Sequence, residues 1–431
     1  MNRTARDGSD RHPKPVTRIE LFEKYPKARL VLTIVLILTA VCALGYSLVA
    51  YLTVDAGWTT IEADSRVAGC ADELIFQYDL GAGEASATAE SKAVTALYTE
   101  LTRKAFQLFH TNQSFDGVQN VRDINRHPNE EIVVDKVLYE AFSTVKQYGN
   151  RAVYLAPVYA QYENLFGCND DVETVSFDPY QNEEIAAYFS EIVSFARDPG
   201  AIDVKLLEDN KVMLYVSDAY LEYAADTGFS DFIDFSWMKN AFVVDYIADE
   251  MRANGFVRGS VSSYDGFVRN LDDVSGSEYA FNLFNRNGLV VHQAGIMRYD
   301  HAISLVYLRS YPANSSLDWQ HYYEFRDGTI RTIYVDLTDG FSRSALDNLV
   351  AYSRDRGCAD ILMQVMPVYI NDQFDAEKLS VLTQEEIYAI YCDGDTILYN
   401  DPSLAITDLY ESDGMKYRTK CIKQQESIFT R

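Results

Sequence analysis

Residues 234–245 read Asp234-Phe-Ser-Trp-Met-Lys-Asn-Ala-Phe-Val-Val-Asp245, with an aspartate at each end and one lysine, Lys239, between them. Just upstream, Phe232–Phe235 reads as a short strand. Downstream, 241–254 (AFVVDYIADEMRAN) predicts a helix closed by Gly255. A strand-like run, GSVSSYDGFVRNL, then covers 259–271.

Further out, the chain keeps alternating helices and strands. Apolar residues Val94, Leu97, Leu101, Ala105, Phe106 and Leu108 recur at helical spacing and predict an amphipathic helix over 89–109. A second helix is expected over Val133–Tyr148, with Asp135 near its start and Gly149 as its stop, and a third over Glu183–Arg197. Lys211–Ser217 reads as a strand. His321–Phe325 and Thr329–Leu337 read as two extended runs joined at Arg326-Asp327-Gly328, where Asp-Gly supplies the positive φ of a hairpin turn. No linker rich in Pro, Ser or Gly interrupts this order. The expectation is one α+β or α/β domain from about 85 to 415, preceded by an exposed tether at 55–84 and followed by a tail at 416–431.

The N-terminal part is of another kind. From Leu30 to Val54 the chain runs without a charged residue, long enough to cross a hydrocarbon core of roughly 30 Å. Eight Lys/Arg and four Asp/Glu occupy 1–29, whereas Asp55, Glu62 and Asp64 follow the apolar run. The positive-inside bias therefore predicts a cytoplasmic segment 1–29, a transmembrane anchor 30–54 and a large extracytoplasmic part. Both the length of the run and the long basic region favour an uncleaved anchor over a signal peptide. The expected location is the cell membrane, single-pass, with the lipid bilayer as one partner and a protein outside the cytoplasm as a possible second.

Charge excludes one class of function. The 431 residues carry a formal net charge of -26, and the basic N-terminus leaves the remainder more acidic still. Nucleic-acid binding needs a basic surface to meet phosphate, so it is not expected. The six Cys show no Cys-x-x-Cys pair, and the six His form no zinc-ligand spacing. Acidic doublets at Asn169-Asp170-Asp171 and Asp272-Asp273 read as solvated surface. The 31 Tyr read as core and half-buried filling. The G-x-S-x-G elbow, the phosphate loop, H-E-x-x-H and G-x-G-x-x-G are all absent.

One ordered series of segments does carry chemistry. Asp123-Ile124-Asn125, the helix after it, Asn164-Leu165-Phe166-Gly167 and the 234–245 segment together resemble the ApbE family of flavin transferases. Members of that family use FAD and Mg²⁺ to attach FMN to a Ser or Thr through a phosphoester. The family's D-L-G-x-x-A-K-G-Y-A-x-D aligns without a gap: Asp234 and Asp245 are kept, but Asn240 stands at the lysine and Ala241 at the glycine, with Lys239 one place early. Tyr264-Asp265-Gly266-Phe267-Val268-Arg269 resembles "GGDIR" with one glycine kept. Ser315-Ser316-Leu317 stands where a "TSG" turn is expected. In Ile333-Tyr334-Val335-Asp336-Leu337-Thr338-Asp339-Gly340, similar to H-x-I-D-P-x-T-G, Asp336 and Gly340 survive while the histidine has become Ile333. Ala359-Asp360-Ile-Leu-Met-Gln364 resembles "AD-x-x-x-T".

The resemblance implies an ApbE-like α+β fold behind the anchor. It also implies cofactor-binding roles for Asp234, Asp245, Gly266 and Gly340, metal-binding roles for Asp360 and Gln364, and, in an active enzyme, catalytic roles for Lys239 and Asp336. Isoleucine neither transfers a proton nor hydrogen-bonds a phosphate. The losses therefore favour a non-catalytic relative that binds a flavin, another small ligand or a protein partner. The alternatives are an active Mg²⁺-dependent FAD:protein FMN transferase and an acidic interaction domain of unrelated α+β fold.

Overall fold

The computed structural model describes residues 26–83, 85–272, 278–313, 315–412 and 415–422, with the backbone alone at 26, 28, 29 and 46–52. The basic segment up to residue 25, Asp273 and the tail beyond residue 422 lie outside the described residues. The chain divides into two units, Met1–Val54 and Asp55–Arg431.

In the first unit Pro26–Leu52 is one helix of 27 residues. Its described large apolar side chains, among them Leu30, Ile34, Leu38, Val41 and Leu44, are all exposed. Among the described residues, whose unbroken run of side chains on this helix spans 30–45, no helix is long and apolar enough to cross a membrane.

The second unit is a mixed α/β domain. Its central sheet has nine strands, in the order Gly57–Ile61, Leu74–Leu80, Gly259–Ser263, Phe267–Asn270, Ser304–Arg309, Asn348–Ser353, Tyr388–Asp393, Thr396–Tyr399 and Arg418–Cys421. Neighbours are antiparallel except the last pair, which is parallel. Every residue of Ser304–Arg309 and Asn348–Ser353 is buried, because both faces of the sheet are covered. Successive side chains in a strand point to opposite faces. Val306, Leu308, Leu349 and Ala351 thus enter a large core shared with the helices, while Leu305, Tyr307, Val350 and Tyr352 enter a second core. That second core includes Leu283, Ala294 and Met297 from a three-stranded sheet of Tyr279–Asn287, Val290–Tyr299 and Ala405–Thr407.

Three expectations are corrected. The stretch 55–84 is no tether: it supplies Gly57–Ile61 and Leu74–Leu80, and Phe76 and Tyr78 are fully buried. Residues 418–421, expected in the tail, form the edge strand beside Thr396–Tyr399. Phe232–Phe235 pairs with no strand, because Asn125 occupies that backbone. Its side chain accepts from Phe232 N and Ile233 N at 2.9 Å each and donates to Ile233 O at 2.9 Å. The other predicted elements stand close to their expected places: Ala87–Phe109, Lys136–Gln147, Glu183–Arg197 and Lys239–Ala253 are helices, and Tyr322–Glu324 pairs with Ile330–Thr332.

Candidate functional site

The helix Lys239–Ala253 organises the site, and its entry is built by short-range hydrogen bonds. Asp234 N donates to Val153 O at 2.9 Å, and the Asp234 carboxylate accepts from Ser236 N at 2.7 Å. This turns the chain into a single 3₁₀ turn, Ser236–Met238, that feeds the helix. Lys239 therefore leaves the first helical position, and its Nζ meets the Glu73 carboxylate at 2.7 Å. One residue on, Asn240 donates through Nδ2 to Asp265 Oδ2 at 3.0 Å. Asp265 lies in the turn between Gly259–Ser263 and Phe267–Asn270. That turn depends on Gly266, whose φ is +112°: a Cβ there would fall 2.3 Å from Tyr307 O.

These residues share a cleft of about 460 Å³, within the range of roughly 300–1,000 Å³ usual for small-molecule sites. Glu73, Glu163, Asp234, Lys239, Asn240 and Asp265 supply its charge and polarity. Phe106, Phe109, Trp237 and Trp319 supply aromatic surface, and His110 and His321 face it as well. Ile333 is part of the wall and only 2% exposed. Its backbone N donates to His321 O at 3.0 Å.

Desolvation sets the protonation of the cleft. Burial pushes Asp234 up to about 6, against the opposing pull of the Ser236 N–H and the Lys239 charge. Burial likewise pushes Asp265 up to about 6. Burial lowers His321 to about 3, and the charges of Arg309 and Lys239 add to this, so its imidazole is neutral. His110 is lowered by burial and by Lys239, and its Nδ1 accepts from Asn112 N and Gln113 N at 3.0 Å each. For Lys239, burial favours the neutral amine, but the neighbouring Glu73 carboxylate and other anionic groups outweigh it and the net direction is up.

The other residues named from sequence lie elsewhere. Asp245 accepts from Cys358 N at 2.8 Å and Ala359 N at 2.9 Å and pairs with Arg269 at 2.8 Å. It thereby caps the helix Cys358–Tyr369 from a distance. Gly266 lines a second groove, with Tyr264, Tyr299 and Arg309. Asp336 pairs with Arg343 at 2.9 Å and accepts from Thr338 N at 2.7 Å, shaping a turn that Gly340 completes at φ +83° against Phe189. Asp360 sits in the first turn of Cys358–Tyr369, and Gln364 donates through Nε2 to Tyr148 Oη at 3.4 Å and to Asp360 O at 3.5 Å.

This donor set does not fit a resident Mg²⁺, which asks for near-octahedral oxygen ligands. Asp360 brings one carboxylate, the Gln364 amide is turned to donate, and among the described residues no group of three His, Cys, Asp or Glu is arranged to hold a metal. A dinucleotide pyrophosphate fits the cleft no better, since carboxylates outnumber its single lysine. Sequence reasoning missed Glu73, His110, Glu163 and His321 as site residues. Glu73 lay hidden in the supposed tether, although Leu74, Phe76, Tyr78 and Leu80 alternate as a half-buried strand should.

No family model matches the chain, and no curated protein matches it in sequence. Solved structures do resemble it. The ApbE protein of Thermotoga maritima matches with a TM-score of 0.52 at 10% identity, over 82% of this chain and 97% of its own. The flavin transferase ApbE of Vibrio cholerae matches with a TM-score of 0.53 at 13% identity, over 82% of this chain and 98% of its own. An unrelated fold is thereby set aside. The second unit of this chain has the fold of the ApbE flavin transferases.

Proposed function

We propose that this chain is a membrane-anchored, outward-facing ApbE-like protein whose cleft holds a small ligand and does not transfer flavin. One observation carries the reading: the cleft wall holds buried Ile333, the residue that the sequence resemblance aligns with the family's histidine. An aliphatic side chain there offers neither proton nor hydrogen bond. The other losses point the same way. Lys239 is engaged by Glu73, and Asp360 lacks the companions of a metal site. Phosphoryl transfer relies on metal and positioned donors to stabilise charge, each commonly worth about 2.7–4 kcal/mol, so their joint removal leaves little rate.

The anchor rests on the sequence alone, the run from Leu30 to Val54 without a charged residue. The test of the central reading is incubation of the purified chain with FAD and Mg²⁺ while AMP release is followed. No release above the protein-free rate supports it, and Mg²⁺-dependent release lost on Lys239→Met overturns it.

A further inference from the structure

The cleft holds more negative charge than it neutralises. Glu73, Glu163, Asp234 and Asp265 line it against one ammonium, Lys239, and Glu73 already engages that group at 2.7 Å. Both histidines of the cleft titrate below their ordinary range and add no charge near neutral pH, and burial pushes Glu163 up to about 7, so Glu73, Asp234 and Asp265 carry most of the negative charge there. Carboxylates withdrawn from water without a counter-charge are costly, which makes a bound cation favourable.

A second observation is independent of charge. Asn240 and Asp265 are 2% and 8% exposed; Asn240 Oδ1 is a buried oxygen that meets no donor among the described residues, and the Asp265 carboxylate beside it has Asn240 Nδ2 and the Ser263 hydroxyl as donors but no cation at hydrogen-bond distance among the described residues. Both residues line the cleft. Buried acceptors almost always find a donor, so the orphan Asn240 oxygen beside a buried carboxylate in a cleft wall points to a donor brought from outside. The remaining wall is aromatic: Phe106, Phe109 and Trp237 lie within the cleft, and Trp319 is 67% exposed. Ring faces attract ammonium groups, by about 0.5–2 kcal/mol depending on desolvation.

We propose that the cleft binds an organic ammonium compound, a primary amine carried on an apolar or aromatic body. Its N–H groups donate to Asn240 Oδ1 and to the Asp265 carboxylate, Asp234 and Asp265 supply the counter-charge, and the body lies against the aromatic wall. Three N–H donors on one small cation suit one orphan acceptor and two neighbouring carboxylates. A bare divalent ion suits the site less, because among the described residues no trio of metal-ligating side chains converges. This inference rests on the reading of the cleft as a ligand site.

The full chain, in a neutral detergent, is titrated calorimetrically with benzylammonium, benzyl alcohol, benzoate and FMN. The expected result is binding of benzylammonium about tenfold or more tighter than benzyl alcohol, with benzoate and FMN weaker still. Asp265→Asn is expected to shrink that preference to about threefold or less, and Asp395→Asn, at an exposed pair with Arg418, to leave it unchanged. Equal affinity for ammonium and alcohol, tighter binding of benzoate or FMN, or no binding of any probe overturns the proposal. A preference that survives both Asp265→Asn and Asp234→Asn overturns it too. AMP release from FAD by the same preparation contradicts the non-transferring reading whatever the amine does, so the two failures are separable.

Discussion

Lys239 and Glu73, 166 residues apart in sequence, form an ion pair at 2.7 Å that ties the start of the central helix to the entry of the strand Leu74–Leu80. Their side chains are 29% and 20% exposed, so the pair is half-buried and more than decorative. Lys239→Met is expected to cost about 1–3 kcal/mol by stranding the Glu73 charge. The double variant Glu73→Gln, Lys239→Met should recover part of that loss, a coupling read from urea denaturation. Strictly additive losses contradict a working pair.

Asp245 holds together two elements far apart in the chain, the central helix and the helix Cys358–Tyr369. Asp245→Ala removes acceptors from Cys358 N and Ala359 N and leaves Arg269 paired with the exposed Asp249. A loss of about 3 kcal/mol or more is expected in denaturation. Gly357→Ala should destabilise through the same contact, since a Cβ there falls 2.4 Å from Asp245 Oδ2. An unchanged melting temperature for both variants contradicts the structural role of Asp245.

Asp265 gives stability a pH dependence of definite sign. Burial raises it from 3.8 to about 6, so the folded state holds this proton more tightly than the unfolded chain does. The stabilisation is complete below about pH 4 and is lost as pH rises through about 6. Asp265→Asn should match the wild type near pH 4 and exceed it above pH 7, by on the order of 1–3 kcal/mol. Thermal melts across that window check it. Parallel curves for the two proteins contradict the burial of this carboxyl.

The anchor has its own check. The full chain is expected to stay with membranes through alkaline carbonate extraction, and a chain starting at Asp55 to be soluble, since the unit Asp55–Arg431 has its own core. Extraction of the full chain by carbonate contradicts the span.

What the sequence displays depends on how local the cause is. Glu183–Arg197 is legible because Asn182 caps it, its apolar residues recur on one face and Asp198-Pro-Gly stops it, all within a short stretch. Phe232–Phe235 misleads because its backbone is satisfied by Asn125, more than a hundred residues away. Within the site, Asp234 and Lys239 are visible through a motif. Glu73, Glu163, His110 and His321 come from four other segments that only the fold brings together, and no spacing announces them. Asp336, Gly340 and Asp360 are visible through the motifs too, and here they shape a turn and sit on a helix outside the cleft lining.

Release of AMP and FMN from FAD, quantified with and without Mg²⁺ for the wild-type chain beside Ile333→His, tests the central claim most directly. The account predicts that the wild type releases neither product above the protein-free rate. It predicts the same for Ile333→His, because the lysine stays engaged by Glu73 and no metal site is restored. Saturable, Mg²⁺-dependent release by the wild type would contradict it.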